Sequence, residues 1–399
     1  MKKKLISTLF LFIFTLTVSS QNKRNDFVSE NISFASQQVW KEVQKNAISK
    51  TILLPRTIND SKQTTYISIS DWTSGFFPGS LWYLYDLTKH EKWKQAAIRY
   101  TLSLDSVKYL KIHHDVGFMI ECSYGNGLRL TNNQAYKDVI VEAANSLMTR
   151  FKPAVGLIQS WDSRTNIKNN QNWGCPVIID NMMNLQLLFD ATRFTGDSVY
   201  WKAAISHADK TLTNHFRKDN SCYHLVDYNL IDGSVIGKHT VQGYADESAW
   251  ARGQAWAIYG YTVCYRYTKD KKYLLQAEKT MDFVLKNKNL PNDFIPYWDF
   301  DAPKIPNEPR DASSAAIIAS ALYELCKYSK PDYYKKIADR MMISLAGNSY
   351  RAKLNENNNF ILMHSVGNIP FRAEIDVPLN YADYYFLEAL SRKRNLEKI

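Results

Sequence analysis

The chain has 399 residues, of which 45% are hydrophobic and 13% are aromatic. This length suits one large domain or two average ones, and the apolar content is sufficient for a sizeable core. The formal net charge of +11 comes from 50 basic and 39 acidic residues scattered along the chain, whereas a nucleic-acid-binding surface needs clustered basic residues. We therefore exclude nucleic acid as a partner and expect only a general attraction for anionic substrates.

The first 20 residues have the pattern of a secretory signal. Lys2 to Lys4 form a charged segment, and Leu5 to Val18 form an apolar run that is followed by small residues. A run this short at the extreme N-terminus is typical of a cleaved signal peptide and not of a membrane anchor. We therefore predict a signal peptide at 1–20 and a single soluble domain at 21–399, exported to the periplasm or secreted. No later segment is expected to span a membrane.

The five cysteines are widely spaced, at Cys122, Cys175, Cys222, Cys264 and Cys326. No pair has the spacing of metal ligands, and a disulfide framework is not expected in a chain of this size. We therefore expect all five to be small buried apolar residues.

Six segments have the pattern of amphipathic helices, which bury one face and expose the other. They are rich in lysine, and several combine aromatic residues with alanines on one face. These outer helices are predicted at Asn31–Lys45, His90–Leu104, Asn133–Phe151, Ser198–Phe216, Lys271–Lys286 and Pro331–Leu345.

Six further segments are apolar or rich in small residues on nearly every side, which is typical of helices in a protein interior. These inner helices are predicted at Gly75–Leu87, Gly117–Leu130, Ile178–Thr195, Ser248–Tyr267, Ser313–Tyr328 and Pro378–Leu390. Strand-like alternation is limited to Cys222–Tyr228 and Phe360–Met363.

The two kinds of helix alternate along the chain, as in a repeat protein that closes on itself. The sequence therefore predicts an all-α fold, an (α/α)6 toroid or barrel with an outer and an inner ring. Polar or aromatic residues precede nearly every inner helix, and we expect these helix ends to form one acidic, aromatic-rimmed pocket. The residues are Asp71-Trp72, His114-Asp115, Ile179-Asp180, Asp246-Glu247, Arg310-Asp311 and Glu374-Ile375-Asp376.

A single carboxylate, Asp180, lies inside the otherwise apolar run at Cys175–Asn184. Burial of an unpaired carboxylate is costly, so the group either finds partners or takes a raised pKa. A raised pKa is what a general acid needs near neutral pH. The alternative is that Asp180 caps the helix that runs from Met182 to Phe194. The run alone does not decide between the two.

Further candidate residues share a place at the start of an inner helix or in the loop or strand before it. They are Trp72, Asp115, Trp161, His224, Gln242, Arg252 and Trp256. Arg252 and Trp256 are four positions apart and therefore share a helix face. The adjacent residues His113 and His114 suggest a metal site, but neighbours on a helix do not face one ion, so no metal is predicted.

Four runs carry a resemblance to a known family: HHDVGFM from His113, IIDNMMN from Ile178, QGYADESAWARGQAWAIYG from Gln242 and EIDVPLNYADYYFLEAL from Glu374. In this order, and over nearly the whole chain from Trp72 to Leu390, they resemble the unsaturated glucuronyl hydrolases of glycoside hydrolase family 88. The resemblance implies an (α/α)6 barrel, which the helix pattern predicts independently.

The resemblance also implies a reaction. Polysaccharide lyases leave a 4,5-unsaturated uronic acid at the non-reducing end of their products. Family members remove this sugar by hydrating its C4=C5 double bond, after which the hemiketal collapses, the ring opens and the remaining sugar is released. The expected substrate is an unsaturated uronic-acid-containing oligosaccharide of glycosaminoglycan type. No metal, nucleotide or redox cofactor is expected.

By the same resemblance, Asp180 is expected to protonate C4 and then, as a carboxylate, to activate the attacking water. Asp115 matches the second family carboxylate, which would bind sugar hydroxyls and help to keep Asp180 protonated through its like charge. Two further sets match family positions. Those around the sugar and its carboxylate are His224, Gln242 and Arg252, and those in the aromatic walls that stack on the rings are Trp72, Trp161 and Trp256.

Other functions remain open at this point. An unsaturated rhamnogalacturonyl hydrolase acting on pectin fragments would share the acid and the chemistry. An ordinary inverting glycosidase would need two carboxylates on either side of an attacking water. A non-catalytic exported sugar-binding protein or a scaffold would not need an acid in an apolar pocket.

Within the family, the stretch His364–Arg372 offers Ser365 and Arg372 but no lysine, which argues against a strict requirement for sulfate.

Overall fold

A computed structural model describes residues 27–47, 49, 51–162, 164–166 and 171–398. The predicted signal peptide at 1–20 lies outside these residues. Within them the chain forms twelve helices joined by loops and short antiparallel strands. As predicted, all five cysteines are buried and none forms a disulfide. No helix in these ranges is long and apolar enough to cross a membrane.

The helices are numbered in chain order, and odd numbers belong to the outer ring and even numbers to the inner ring. They are α1 27–47, α2 Phe76–Thr88, α3 Glu91–Leu102, α4 Val116–Ile120 with Glu121–Gly125 and Asn126–Thr131, α5 Ala135–Met148, α6 Leu185–Thr195, α7 Ser198–Asn214, α8 Ala251–Thr268, α9 Lys271–Lys286, α10 Ala312–Leu325, α11 Pro331–Leu345 and α12 Asn380–Glu397.

The inner helices form a closed ring. Each of α2, α4, α6, α8 and α10 packs against the next, and α12 packs against both α10 and α2. Every residue of α10 is buried, whereas the outer helix α3 buries one face through residues such as Trp93, Ala97 and Tyr100. The predicted (α/α)6 toroid is therefore confirmed.

Most helix bounds lie within three residues of their predictions, and α9 and α11 have the predicted bounds. The exceptions are the start of the first outer helix, one inner N-terminus and the end of the last helix. The predicted inner helix Ile178–Thr195 begins instead as a 3-10 segment, Ile179–Asn184, and becomes α-helical only at Leu185. Its first residue, Ile178, belongs to a strand.

The strands form hairpins and one three-stranded sheet, all antiparallel. They are β1 Leu54–Ile58, β2 Thr64–Ile67, β3 Phe151–Lys152, β4 Leu157–Ile158, β5 Arg164–Asn166, β6 Gln171–Trp173, β7 Pro176–Ile178, β8 Leu225–Tyr228, β9 Val235–His239, β10 Ser365–Asn368 and β11 Ala373–Val377.

One of the two predicted strands is confirmed, because Cys222–Tyr228 contains β8. The other, Phe360–Met363, is wrong: it holds only a single bridge, between Leu362 and Arg351. His364 has a left-handed φ of 60°, which interrupts the extended backbone, so β10 begins one residue later at Ser365.

Candidate active site

Asp180 lies at the N-terminal end of the inner ring, two residues beyond the end of β7 and in the first turn of the 3-10 segment. The residue is only 6% exposed, and its Oδ2 atom is buried without a hydrogen-bond partner among the described residues. The residue that immediately precedes α6 is Asn184. Asp180 therefore does not cap this helix, and that alternative interpretation is wrong.

The carboxyl group of Asp180 favours its neutral form. Burial raises its pKa to about 7, the positive charge of Arg252 opposes the rise, and the negative charge of Asp115 adds to it. The indole N–H of Trp256 lies near enough to favour the charged form, although it does not meet the geometry of a hydrogen bond. Asp180 is therefore suited to donate a proton near neutral pH.

Asp115, just before α4, is the second carboxylate of the pocket and behaves in the opposite way. Burial acts to raise its pKa, but His114 and His113 outweigh that effect and hold the pKa below its ordinary value. Its two oxygens lie 3.3 Å from His114 Nε2 and 3.3 Å from His113 Nδ1. Two carboxyl groups whose pKa values are moved apart are the usual arrangement for separate acid and anion roles.

His113 and His114 differ in their contacts and in their protonation. The backbone N–H of Asp115 donates to His113 Nδ1 at 3.1 Å, and His113 Nε2 lies 3.2 Å from the carbonyl oxygen of Ser70. His114 is buried, and burial lowers its pKa to about 4, so it is neutral. Among the described residues no group of three or more His, Cys, Asp or Glu side chains has the arrangement of a metal site.

His224 lies directly before β8 and faces the acid. Its Nδ1 atom accepts hydrogen bonds from the backbone N–H groups of Val241 at 2.9 Å and Gln242 at 3.3 Å. Because Nδ1 is an acceptor, the ring proton is on Nε2 in the neutral histidine. That atom lies 3.7 Å from Oδ2 of Asp180. The structure therefore brings His224 to the same site as Asp180, as predicted.

Gln242 and Arg252 also meet, and the contacts of Arg252 are with protein groups. It is only 2% exposed, and its Nη2 donates to Gln242 Oε1 at 2.5 Å and to the Gly367 carbonyl at 2.8 Å. Its Nη1 donates to the Val366 carbonyl and lies 3.4 Å from Asp311 Oδ2. Arg252 therefore orients the amide of Gln242 and places a positive charge near Asp180.

The three predicted aromatic walls differ in exposure. Trp72 and Trp161 are half-buried at the pocket, and Trp161 pairs with His113 through a backbone bridge. Trp256 is 0% exposed, with its ring 5.1 Å from Phe118 and 5.5 Å from Tyr385 between centroids. Trp256 thus has no open face for stacking and forms the floor of the pocket, with only its N–H edge near Asp180.

Two supporting contacts were not predicted. Asp311, which precedes α10, holds Arg252 and also accepts from the side chains of Ser313 and Ser314. Arg56, in β1, forms an ion pair with Asp71 and another with Glu374, which lies 318 positions away in sequence. The sequence indicates a helix cap at Asp311, whereas nothing in the sequence around Arg56 indicates its contacts.

A family model described as Glycosyl Hydrolase Family 88 matches residues 51–264. The chain belongs to glycosyl hydrolase family 88. Over 98% of each chain it is 44% identical to an unsaturated glucuronyl hydrolase from Formosa agariphila. It is 33% identical to an unsaturated chondroitin disaccharide hydrolase from Streptococcus agalactiae, over 92% of this chain and 91% of that one.

Solved structures agree with this assignment. The structure of an unsaturated glucuronyl hydrolase specific for heparin is 43% identical and has a TM-score of 0.89, with 94% of this chain and 99% of that chain covered. This chain is therefore a glycoside hydrolase, and it has the (α/α)6 fold that its helix pattern predicts.

Proposed function

We propose that this family 88 enzyme removes a 4,5-unsaturated uronic acid from the non-reducing end of lyase-generated glycosaminoglycan-type oligosaccharides by hydrating the C4=C5 bond. Relatives named for unsaturated glucuronyl, chondroitin disaccharide and heparin substrates support this substrate class. The observation that carries the proposal is the carboxyl group of Asp180, which is buried, has a pKa of about 7 and has an oxygen without a hydrogen-bond partner in the described part of the chain.

The first step is protonation of the double bond. The neutral Asp180 carboxyl donates its proton to C4, and the electron pair of the C4=C5 bond forms the new C–H bond. The positive charge that develops at C5 is shared with the ring oxygen. Because Asp115 stays ionised, it can accept hydrogen bonds from sugar hydroxyls while its charge keeps the proton of Asp180 available.

Water then completes the reaction. The Asp180 carboxylate takes one proton from a water molecule as the water oxygen bonds to C5, which regenerates the neutral acid and leaves a hemiketal. The C5–O5 bond breaks to give a ketone at C5, and the hemiacetal at C1 releases the remaining sugar as an alcohol. One water molecule is consumed, and neither carboxylate attacks the anomeric carbon.

His224 and Gln242 contribute donors at this site. The Nε2–H of His224 faces the carboxyl of Asp180, and the Gln242 amide is held through its oxygen by Arg252. With its oxygen engaged, Gln242 is left to present its NH₂ group as a hydrogen-bond donor. An amide donor with a positive charge behind it suits the carboxylate of a uronic acid.

The test is to follow the ultraviolet absorbance of the conjugated double bond with unsaturated disaccharides from chondroitin, hyaluronan and heparin. We expect the absorbance to fall with the wild-type enzyme and to persist with Asp180→Asn. Cleavage of saturated analogues without loss of absorbance would establish a conventional glycosidase instead. Binding of the unsaturated disaccharides without turnover would establish a sugar-binding protein.

We also propose that the enzyme is exported and acts in the periplasm or outside the cell. The charged segment at Lys2–Lys4 and the apolar run at Leu5–Val18 support this location. Fractionation of expressing cells and N-terminal sequencing of the mature protein test it. A cytoplasmic protein that keeps its first 20 residues would contradict it.

A further inference from the structure

A second cavity lies inside the inner ring, away from Asp180. It has a volume of about 570 Å³ and is lined by residues of all six inner helices. Its mouth is near residues at the C-terminal ends of these helices, such as Arg129 of α4, Arg193 of α6 and Lys327 after α10. The candidate active site lies at the opposite, N-terminal ends. We call this second cavity the lumen.

An aromatic layer separates the lumen from the active site. Phe118 and Tyr385 line the lumen, and their rings pack against Trp256 at 5.1 and 5.5 Å. The N–H edge of Trp256 lies on the other side of the layer, near Asp180. A ligand in the lumen would therefore not occupy the active-site pocket.

One carboxyl group of the lumen has a hydrogen-bonding atom that is not used. Glu121 begins the π-helical turn Glu121–Gly125 of α4, and π-turns within α-helices occur frequently at functional sites. Its Oε2 accepts from Gln186 Nε2 at 3.2 Å, while its buried Oε1 has no partner within the described ranges. A Cβ atom at position 125 would lie 2.4 Å from Glu121 Oε2, so the glycine there leaves room for this carboxyl.

The charge of the lumen favours an anion. Five basic residues line it (Arg129, Arg193, Arg266, Lys327 and Arg392), and four acidic ones do (Glu121, Asp190, Glu324 and Glu388). Burial and the neighbouring Asp190 raise the pKa of Glu121 well above its ordinary value, which reduces the negative charge further. Cations near helix C-termini also offset the helix dipoles. This effect accounts for part of the excess of basic over acidic residues in the lumen.

The basic residues at the mouth are the ones that a ligand can reach. Arg266 is held by both oxygens of Glu324, at 2.6 and 2.7 Å. Arg193 and Arg129 also have acidic partners, Asp190 at 3.1 Å and Asp86 at 3.8 Å, but their side chains are 63% and 47% exposed. Lys327 is also exposed. We refer to Arg129, Arg193 and Lys327 as the rim cations.

We propose that the lumen is a second binding site, for a monosaccharide that carries a carboxylate. The rim cations would contact the carboxylate, and Glu121 and Gln186 would bind the hydroxyl groups. The rings of Tyr83 and Tyr384, which also line the lumen, would contact the C–H groups of the sugar. The volume is in the range of small-molecule pockets. This proposal does not rest on the hydration reaction.

Calorimetric titration with D-glucuronate tests the proposal, because this sugar has neither a glycosidic bond to cleave nor a C4=C5 bond to hydrate. D-Glucose is the uncharged control. The active-site variant Gln242→Ala removes a contact at the first site, and the double variant Arg129→Gln/Arg193→Gln removes two exposed charges at the lumen. Crystals soaked in D-glucuronate locate the bound sugar.

We expect D-glucuronate to bind the Gln242→Ala protein more tightly than D-glucose does. Because exposed charges contribute modestly, the rim double variant should weaken that binding about fivefold. Electron density for the sugar should appear in the lumen. The proposal is overturned if the binding disappears in Gln242→Ala, if the rim variant leaves it unchanged, or if the lumen of soaked crystals holds only water.

Discussion

The Nε2 atom of His224 lies 3.7 Å from Oδ2 of Asp180 because two neighbouring strands are in register. Ile178, the last residue of β7, pairs with Leu225, the first residue of β8. Asp180 follows the first of these residues and His224 precedes the second, so both leave the sheet at the same end. The acid and the histidine are therefore placed by a short sheet and not by the helices alone.

Replacement of His224 by alanine should impair both the site and the fold around it. The variant leaves the partly buried backbone N–H groups of Val241 and Gln242 without their acceptor, and a fully buried donor left in this way costs about 1–3 kcal/mol. We expect lower stability to urea and a fall in kcat/KM of about tenfold or more. His224→Phe is the matched control for ring packing against Trp250. A variant with unchanged activity would contradict a role for His224 at the site.

The pH dependence of activity should report the proton on Asp180. Since the acid must be protonated, kcat/KM should fall above about pH 7, the pKa of Asp180. Asp115→Asn removes a negative charge that raises this pKa, so the alkaline limb of the profile should move to lower pH. Pre-steady-state turnover of a single unsaturated disaccharide across pH provides the measurement. A limb that stays in place would show that Asp115 does not act through the pKa of Asp180.

The same carboxyl should affect stability in a pH-dependent way. The pKa of Asp180 is raised in the folded state from an ordinary value of 3.8 to about 7. The folded protein therefore holds the proton more tightly, so its stability relative to Asp180→Asn is greatest below pH 3.8 and falls as pH rises to about 7. About three pKa units correspond to roughly 4 kcal/mol at most. Urea unfolding of both proteins at pH 4 to 8 measures the difference, and a difference that does not vary with pH would contradict the assignment.

Two variants of Arg252 should separate its charge from its hydrogen bonds. Arg252→Met removes the positive charge that lowers the pKa of Asp180, so the alkaline limb should move to higher pH. It also leaves Asp311 without a partner cation, at a cost of about 3–5 kcal/mol. Arg252→Lys keeps the charge but loses the paired contacts to Gln242 and Gly367.

For Arg252→Lys we therefore expect a nearly unchanged pH profile and a higher KM. Unfolding curves of both variants check that each protein is folded at the assay temperature. If the two variants give the same shift of the alkaline limb, the charge of Arg252 is not what tunes Asp180.

Much of the fold was predictable because its helices differ in kind. The lysine-rich face of Lys271–Lys286 and the apolar composition of Ser313–Tyr328 assign them to outer and inner rings by local sequence alone. The hairpins were not predicted because their described strands have only two to five residues each, and pairing with a partner strand stabilises them. Ile178, for example, extends as a strand because Leu225 pairs with it, although its apolar neighbours are typical of a helix.

The site was predictable to a different extent. Asp180 could be singled out because a carboxylate in an apolar run is unusual, and the family resemblance decided its role. The burial of Trp256 could not be foreseen, since it depends on Phe118 and Tyr385 from two other inner helices. The contact of Arg56 with Glu374 joins residues that are far apart in the chain, and only the closed ring brings them together.

The contact between α12 and α2 has a consequence for how the protein folds. The first inner helix has no neighbour on one side until the last one, Asn380–Glu397, has been synthesised. Until then, the apolar sides of α2 and α10 are exposed to solvent. Contacts of such long sequence separation form late and slow the folding rate. A chain that ends before α12 would expose these surfaces permanently, and aggregation or proteolysis would be its expected fate.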